Sequence, residues 1–176
     1  NMRRSVDGES IRALVRNLRE RVPGIVLRTT MIVGHPGESK GAFEELINFV
    51  SEAKFERLGA FTYSQEEGTW GAQNLKDSIS ERVKQERYQR LMEVQSQLSL
   101  DFNLSRKGKK ERVLIDSYSD GVFTARSMSE SPEVDGEILI GSDAFLNVFN
   151  PNEIIGTFVD VRIDSADEYD LTATFV

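Results

Sequence analysis

The sequence predicts an α/β segment followed by a small, closed all-β barrel. In residues 1–106, apolar residues spaced by three or four alternate with short β-branched runs, which indicates alternating helices and strands. Beyond residue 107, five short β-rich runs are separated by turn signals. The charge divides at the same place: residues 1–106 carry 16 Lys and Arg against 15 Asp and Glu, whereas residues 111–176 carry three Arg, no Lys and 14 Asp and Glu. We therefore place a domain boundary near residue 107.

The composition excludes several classes of protein. The 176 residues include no cysteine, so this chain forms no disulfide and holds neither a cysteine-ligated zinc nor an iron–sulfur cluster by its own thiolates. Absence of cysteine also points to the cytosol. No apolar run reaches the roughly 18 residues needed to span a bilayer. The amino terminus is not that of a signal peptide and resembles a chain entered in its middle.

The first element is a helix that Asp7 can cap, and a strand follows it. Pro23-Gly24 ends the helix, and the run from Ile25 to Val33 is mostly apolar or β-branched. Such a run favours a strand covered on both faces. The apolar face of the helix comprises Ile11, Leu14, Val15, Leu18 and Val22.

A second helix and strand repeat this order. Ser39 opens the helix, and the strand runs from Leu58 to Tyr63. Short connections between helix and strand imply parallel strands with right-handed crossovers. Because two strands cannot close a sheet, we expect them to be part of a larger, TIM-like α/β barrel. The second helix presents Phe43, Leu46, Ile47 and Val50 on one face.

A long helix links the two parts. Ser78-x-x-Glu81 has the pattern of a capping box, which places the helix start there. Its narrow apolar stripe predicts that it lies on the first part, since a free coiled coil needs more heptads. The stripe consists of Val83, Leu91, Val94, Leu98 and Phe102.

The acidic part fits a five-stranded barrel of the OB type. Ser119-Asp-Gly121, Asp135-Gly136, Asn150-Pro151 and Ser165-Ala-Asp167 are its turn signals. The predicted strands are Arg112–Ser117, Val122–Arg126, Glu137–Ile140, Phe158–Ile163 and Asp170–Phe175.

One segment combines features of a binding site. The run from Arg28 to Glu38 passes from a strand through the glycines Gly34 and Gly37 to a helix start. Glycine allows a ligand close to the backbone, and free N–H groups at a helix start favour an anion. In a parallel barrel this turn lies at the carboxyl end of its strand, where active sites occur. The alternative is a simple strand–helix connection.

Three other groups are open to both functional and structural interpretations. His35, the single histidine, could act as a base, but it has no nucleophile or second histidine beside it and fits better as a packed or solvated loop residue. Glu66-Glu67 could perform acid–base chemistry or remain solvated. Arg3-Arg4 could bind a carboxylate or phosphate, or be a solvated entry segment.

The acidic balance of the barrel disfavours RNA as its partner. Neutralising phosphates requires Lys or Arg, and residues 111–176 offer three Arg against 14 acids. A basic protein is favoured, because complementary charge accelerates association. The alternative is that the acids serve solubility alone.

Five motifs resemble those of the radical SAM methylthiotransferases, in the family's order and over nearly the whole chain. The resemblance is closest to the RimO type, which modifies an aspartate of ribosomal protein uS12, since Glu66-Glu67-Gly68-Thr69 replaces the Arg-Pro-Gly-Thr of the tRNA-modifying sister type. The motifs are Met2-Arg3-Arg4, Leu27–Thr30, Ile32–Glu38, Phe61–Thr69 and Pro132–Gly136.

The resemblance implies a layout: residues 1–78 form the carboxyl-terminal part of a radical SAM barrel, 79–106 a linking helix and 107–176 a TRAM barrel. It implies that the full enzyme uses S-adenosylmethionine and two 4Fe-4S clusters as cofactors. The cysteines that hold these clusters in the family are absent from this chain. The resemblance therefore implies that the chain alone is inert. The residues it assigns to the adenosylmethionine site are Arg28, Thr30, Gly34, Gly37 and Glu38.

The resemblance also implies a partner. uS12 is expected to be strongly basic, so Glu133 and Asp135 become candidates for its capture. Two alternatives remain. The chain could be part of a tRNA methylthiotransferase, which its acidic balance disfavours. It could also be a non-catalytic binding module, which is disfavoured because the apolar faces of the helix–strand units need further strands to cover them.

Overall fold

The computed structural model describes residues 6–141 and 153–176. The chain forms two compact units, Asn1–Leu98 and Ser99–Val176. Two features named above, Arg3-Arg4 and the Asn150-Pro151 turn signal, lie outside the described residues. The first unit contains α1 (Gly8–Arg21), β1 (Arg28–Val33), α2 (Lys40–Ala53), β2 (Arg57–Thr62), α3 (Trp70–Asn74) and the larger part of α4 (Glu81–Leu104).

The predicted starts of the first two helices are confirmed. The Asp7 side chain accepts a hydrogen bond from Ser10 N at 2.8 Å, and the Ser39 hydroxyl accepts one from Ala42 N at 3.1 Å. Each side-chain oxygen thus satisfies an N–H of the first helical turn that has no carbonyl partner. The two caps therefore define the first residues of α1 and α2.

Strands β1 and β2 pair in parallel, as predicted, with Thr30 opposite Gly59 and Ile32 opposite Phe61. One face of the pair packs on α1, α2 and α4 and forms the core of the unit. The other face is open: Ile32 is 44% and Phe61 63% exposed. The core residues below 10% exposure are Leu27, Val33, Phe43, Ile47, Val50, Ala53, Phe55, Leu58, Ala60 and Leu91.

Within the described residues only one face of the first strand is covered, whereas the sequence predicts cover on both faces. The strand begins at Arg28, three residues later than predicted, and its exposure alternates along the chain. The side chains of Arg28 and Thr30 lie on the open face and Val33 on the covered one, as the period of two requires. The sequence does not reveal this alternation, because Ile32 is an apolar residue on the same face as Arg28 and Thr30.

Helix α4 begins at Glu81, and its cap is Ser80, so the predicted capping box at Ser78 is wrong. The Ser80 hydroxyl accepts a hydrogen bond from Val83 N at 3.4 Å. The Asp77 side chain accepts one from Ile79 N at 3.4 Å, which turns the chain two residues before the helix. The prediction that α4 lies on the first part is confirmed, because Leu91 is fully buried in that unit's core.

The second unit is a closed barrel of five strands, as predicted, and its strand order is β3-β4-β5-β7-β6. Asp120 and Gly121 have positive φ of 51° and 84° and form the two-residue turn between β3 and β4. The final residues of α4 belong to this unit, and Asn103 Nδ2 donates to Asp167 O at 2.9 Å. The strands are β3 (Lys110–Ser119), β4 (Val122–Arg126), β5 (Ile138–Gly141), β6 (Phe158–Ala166) and β7 (Leu171–Phe175).

Candidate functional site

A cavity of about 540 Å³ lies at the carboxyl ends of β1 and β2 in the first unit. Its volume falls within the range of small-molecule sites, and apolar and aromatic side chains dominate its lining, as is typical of such sites. It opens at the end of the open sheet face, where Ile32 and Phe61 project. The lining residues are Ile32, His35, Phe61, Thr62, Tyr63, Ser64, Glu66, Thr69, Trp70, Gly71 and Leu75.

The glycine-bearing turn after β1 is held by its own carboxylate. Glu38 Oε2 accepts hydrogen bonds from Gly34 N and from Arg87 Nη1, the latter at 2.7 Å. Arg87 also donates to Glu38 O at 3.1 Å. Because both Glu38 and Arg87 are 12% exposed, this pair is shielded enough to fix the turn. Glu38 therefore reaches inward to the turn and to α4.

The two glycines of the turn share a positive φ, but only one of them also lacks space for a side chain. Gly34 has φ +77° and Gly37 has φ +86°, a region that other residues rarely adopt. A Cβ on Gly34 would lie 2.5 Å from Lys84 Cγ, whereas a Cβ on Gly37 would meet nothing within 4 Å. The space at Gly34 is thus taken by the protein itself, and open space adjoins Gly37.

Lys84 lies beneath the cavity with its side chain 1% exposed. Its Nζ donates to Tyr63 O at 3.1 Å, to Asp77 Oδ2 at 2.7 Å and to Glu81 Oε1 at 2.7 Å. Burial acts to lower the pKa of the ammonium, but the hydrogen bonds and charges of Asp77 and Glu81 outweigh it, and the net pKa is raised. Lys84 is therefore charged throughout the physiological range.

The aromatic side of the cavity is organised around Tyr63. The His35 ring packs edge-on against Tyr63 with centroids 5.1 Å apart, and His35 Nδ1 lies 2.9 Å from Pro36 O. Thr69 caps α3 by accepting a hydrogen bond from Ala72 N at 3.2 Å, which places Trp70 in the lining. His35 thus packs as a loop residue, as the sequence favoured.

The structure brings some of the residues assigned to a cofactor site together and separates others. Gly34, Gly37 and Glu38 share the turn beside the cavity. Thr30 lies on the open face of β1, opposite Gly59. Arg28 lies at the far end of the same strand, about 16 Å from Val33 at roughly 3.3 Å per residue.

Two cations that sequence analysis did not single out, Lys84 and Arg87, hold the turn in place. Both lie on the buried side of α4, in line with the core residue Leu91 at helical spacing. A sequence signal for these two cations does exist. Lys84 and Arg87 continue the apolar stripe of α4 at intervals of three and four residues.

In the second unit, Glu133 and Asp135 line a groove of about 290 Å³ beside β3 and β4. Glu133 is exposed and has a positive φ of 60°. Asp135 is half-buried, and its carboxylate accepts a hydrogen bond from Ser131 N at 2.7 Å. Glu133 therefore presents its charge outward, whereas Asp135 also shapes its own loop. Asp116, Arg126 and Glu137 are further charged residues of the groove.

Neither a metal cluster nor a membrane helix is found in the described parts of the chain. Among residues 6–141 and 153–176, no group of three or more His, Asp or Glu side chains is arranged to hold a metal ion. Over the same residues, every helix is too short or too polar to cross a bilayer.

Comparison with known proteins identifies the domain family of the barrel. Residues 108–176 match the TRAM domain family, and this range contains all five strands of the barrel. The chain is also similar over nearly its whole length to proteins named ribosomal protein uS12 methylthiotransferase RimO. The Bacteroides fragilis protein is 44% and the Parabacteroides distasonis protein 45% identical over 170 residues, each alignment covering 97% of this chain and 38% of the relative. The Desulforamulus reducens protein is 44% identical over 173 residues, covering 97% and 37%.

This similarity along nearly the whole chain, together with the TRAM match, confirms the resemblance to the RimO-type methylthiotransferases seen in its motifs. The chain spans about 38% of the length of the curated relatives it matches.

Proposed function

We propose that this chain is part of a cytoplasmic enzyme that transfers a methylthio group to the β-carbon of an aspartate in ribosomal protein uS12. The observation that carries the proposal is the open face of the parallel β1–β2 pair, which ends in the aromatic cavity at the strands' carboxyl ends. Active sites of α/β barrels lie at that end. The identity of 40–45% to RimO proteins along the chain supports the reaction.

The first unit is the carboxyl-terminal part of a radical SAM barrel in this proposal. Its open face presents Thr30, Ile32 and Phe61 where further strands of a barrel would close around them. An apolar sheet face is stable only when another element covers it. In this proposal, strands from elsewhere in the enzyme cover the open face of β1 and β2.

The residues present fit adenosylmethionine but do not fit an iron–sulfur cluster. The chain has no cysteine, so cluster ligands must come from elsewhere in the enzyme. The cavity volume, its aromatic lining and the open space at Gly37 suit an adenosyl group. When bound, adenosylmethionine supplies the hydrogen-abstracting chemistry of this class of enzyme.

Each predicted site residue then has its own task. Gly37 allows the ligand close to the backbone, and Thr30 offers a hydroxyl on the sheet face. Gly34 and Glu38 keep the turn in shape through the Glu38–Arg87 pair. Arg28, at the other end of β1, remains a candidate polar contact for a part of the ligand or substrate that extends along the sheet.

The acidic TRAM barrel captures uS12 in this proposal. Glu133 and Asp135 line its groove, and their charge is complementary to a basic ribosomal protein. The three Arg of residues 111–176 make RNA the weaker partner. A tRNA methylthiotransferase is therefore disfavoured as the alternative. A non-catalytic binding module is the second candidate, because the barrel closes its own core within the chain.

The test uses two proteins, the whole enzyme that contains this chain and the 176-residue chain alone. The whole enzyme, with its clusters reconstituted, is expected to add a methylthio group to one uS12 aspartate, seen by peptide mass. The chain alone is expected to be inactive yet to bind uS12 in a salt-sensitive manner and not to bind bulk tRNA. Methylthiolation of tRNA would move the assignment to the sister type. Absence of any transfer by the whole enzyme would favour the binding module.

A further inference from the structure

We propose that Lys84 is a positioning residue for the cavity at the carboxyl ends of β1 and β2. Its ammonium and its aliphatic stem together hold the strand ends and the loop that form the ligand-facing surface. The inference rests on the proposed function, because it takes this cavity to be the adenosylmethionine site.

Three separate segments of the cavity meet at this one side chain. The stem of Lys84 occupies the space beside the α-carbon of Gly34, which follows β1. Its Nζ donates to Tyr63 O, directly after β2, at 3.1 Å. The same Nζ donates to Asp77 Oδ2 at 2.7 Å, in the connection that follows α3, the helix that carries Trp70. A single charged group thus sets the relative positions of all three segments.

The lining itself is in contact with this group. Lys84 Nζ lies 5.5 Å from the centroid of the Tyr63 ring, within the range of a cation–π interaction. Tyr63 in turn packs against His35 with centroids 5.1 Å apart. Lys84, Tyr63 and His35 therefore form a continuous series of contacts from the interior of the unit to the cavity surface.

The stability of the first unit does not by itself explain a buried lysine at position 84. Removing an ammonium from water costs free energy that ion pairs only partly return, and an apolar residue of similar volume is often as stable. What a methionine could not do is donate three directed hydrogen bonds, to a strand end, to a loop and to the first turn of α4. The cation is therefore explained by the geometry it imposes on the cavity.

The primary experiment compares Lys84→Met with Arg82→Met in the whole enzyme. Methionine keeps most of the stem and removes the three donors. Arg82 lies on the same helix, is 79% exposed and pairs with Glu86, so its replacement is the matched control. We expect Lys84→Met to weaken adenosylmethionine binding at least tenfold in equilibrium titration, with uS12 binding and far-UV circular dichroism unchanged. Arg82→Met should bind adenosylmethionine as the wild type does.

A second measurement reports on the cavity without any cofactor. Trp70 is the only tryptophan of the 176-residue chain and lines the cavity. Lys84→Met is expected to shift its fluorescence emission and raise its quenching by acrylamide, whereas Arg82→Met leaves both unchanged. If Lys84→Met fails to fold, Asp77→Asn, which keeps the side-chain shape and removes the anion, is expected to give the same changes at smaller amplitude.

The two proposals fail in different ways. Wild-type enzyme that does not bind adenosylmethionine would refute the cofactor assignment, and the Trp70 readout would still decide the role of Lys84. A folded Lys84→Met, or Asp77→Asn in its place, that binds adenosylmethionine within twofold of wild type and leaves Trp70 emission unchanged would overturn the positioning role.

Discussion

Arg106 and Glu130 form an ion pair in the second unit in which the two side chains are only 4% and 2% exposed. The guanidinium also donates to Glu111 Oε2 at 2.7 Å, and the Glu130 carboxylate accepts from Ser127 N at 2.9 Å. The network joins the residues directly after α4 to β3 and to the loop after β4. It therefore ties the start of the barrel to the segment that leads into Pro132–Gly136.

Removal of one member of this pair should destabilise the barrel. Glu130→Ala leaves the Arg106 charge buried with only Glu111 to compensate it, and breaking a buried pair typically costs about 3–5 kcal/mol. Denaturant unfolding monitored by barrel amide signals measures the loss. Glu133→Ala, an exposed acid three residues later, is the control and should cost less than about 0.5 kcal/mol. Equal effects of the two substitutions would contradict this account.

The same pair makes barrel stability depend on pH. Burial acts to raise the pKa of Glu130, but the hydrogen bonds and charge of Arg106, with Ser127, outweigh it and hold the pKa below the ordinary 4.5. A carboxyl with a depressed folded pKa contributes stability above about pH 4.5, and this is lost as pH falls through the folded value. Melting temperatures between pH 7 and pH 3 should therefore fall more steeply for wild type than for Glu130→Gln. Parallel curves would rule out this pair as the source.

Gly136 is required by a close backbone approach, and its substitution should disrupt the barrel. A Cβ at this position would lie 1.9 Å from Tyr169 O, a backbone atom that cannot move without displacing the turn before β7. Gly136→Ala is expected to cost about 1–3 kcal/mol or more. Gly141→Ala, at the end of β5 with nothing within 4 Å of its Cβ, is the matched control and should be nearly neutral. Thermal unfolding of both variants tests the difference.

Reversal of charge at Glu133 should weaken capture of uS12. The side chain is exposed, so Glu133→Lys changes charge at the groove without removing a contact of the fold. Since rim charges act mainly on encounter, the association rate should fall and its salt dependence should decrease. Glu20→Lys, an exposed acid in α1, makes the same change of net charge in the other unit. Surface binding kinetics that show equal losses for both variants would remove the groove from the interface.

Alanine at Gly34 should cost more than alanine at Gly37, and the excess should depend on Lys84. Both substitutions impose a positive φ on alanine, at about 1–2 kcal/mol. Only Gly34→Ala adds a contact of 2.5 Å with Lys84 Cγ. In a Lys84→Ala background only the 3.2 Å approach of the residue 84 Cβ remains, so most of the excess cost of Gly34→Ala over Gly37→Ala should disappear. A double-mutant cycle on denaturant unfolding measures this coupling, and additive free energies would exclude it.

Short-range patterns predicted much of this fold. Asp7 and Ser39 were identified as caps because a cap needs only the three residues that follow it. The five strands of the barrel were found because alternation and turn residues such as Asp120-Gly121 are local signals. The prediction of a Ser78 cap is wrong because the Ser80 hydroxyl accepts from Val83 N, while Asp77 bonds to Ile79 N and to Lys84, seven residues further on.

The candidate site also combines features that the local sequence predicts with contacts that only the folded structure shows. The turn from Gly34 to Glu38 was indicated by its glycines, and its position at the end of a parallel strand followed from chain order. That Glu38 bonds to Arg87, 49 residues later, was not predictable, because no local pattern encodes a partner at that separation. The same holds for Lys84, which reaches Tyr63 across 21 residues.

The sequence by itself determined the element order apart from the short helix α3, the parallel pair, the closed acidic barrel and the RimO-type motifs, because propensity, capping and charge act over a few residues. Only the tertiary structure decided that one face of β1 and β2 is open and that Gly34 is glycine on account of Lys84. It also decided that Arg106 and Glu130 are buried together. These relationships depend on which side chains packing brings within a few ångströms, and packing is settled by the whole unit at once.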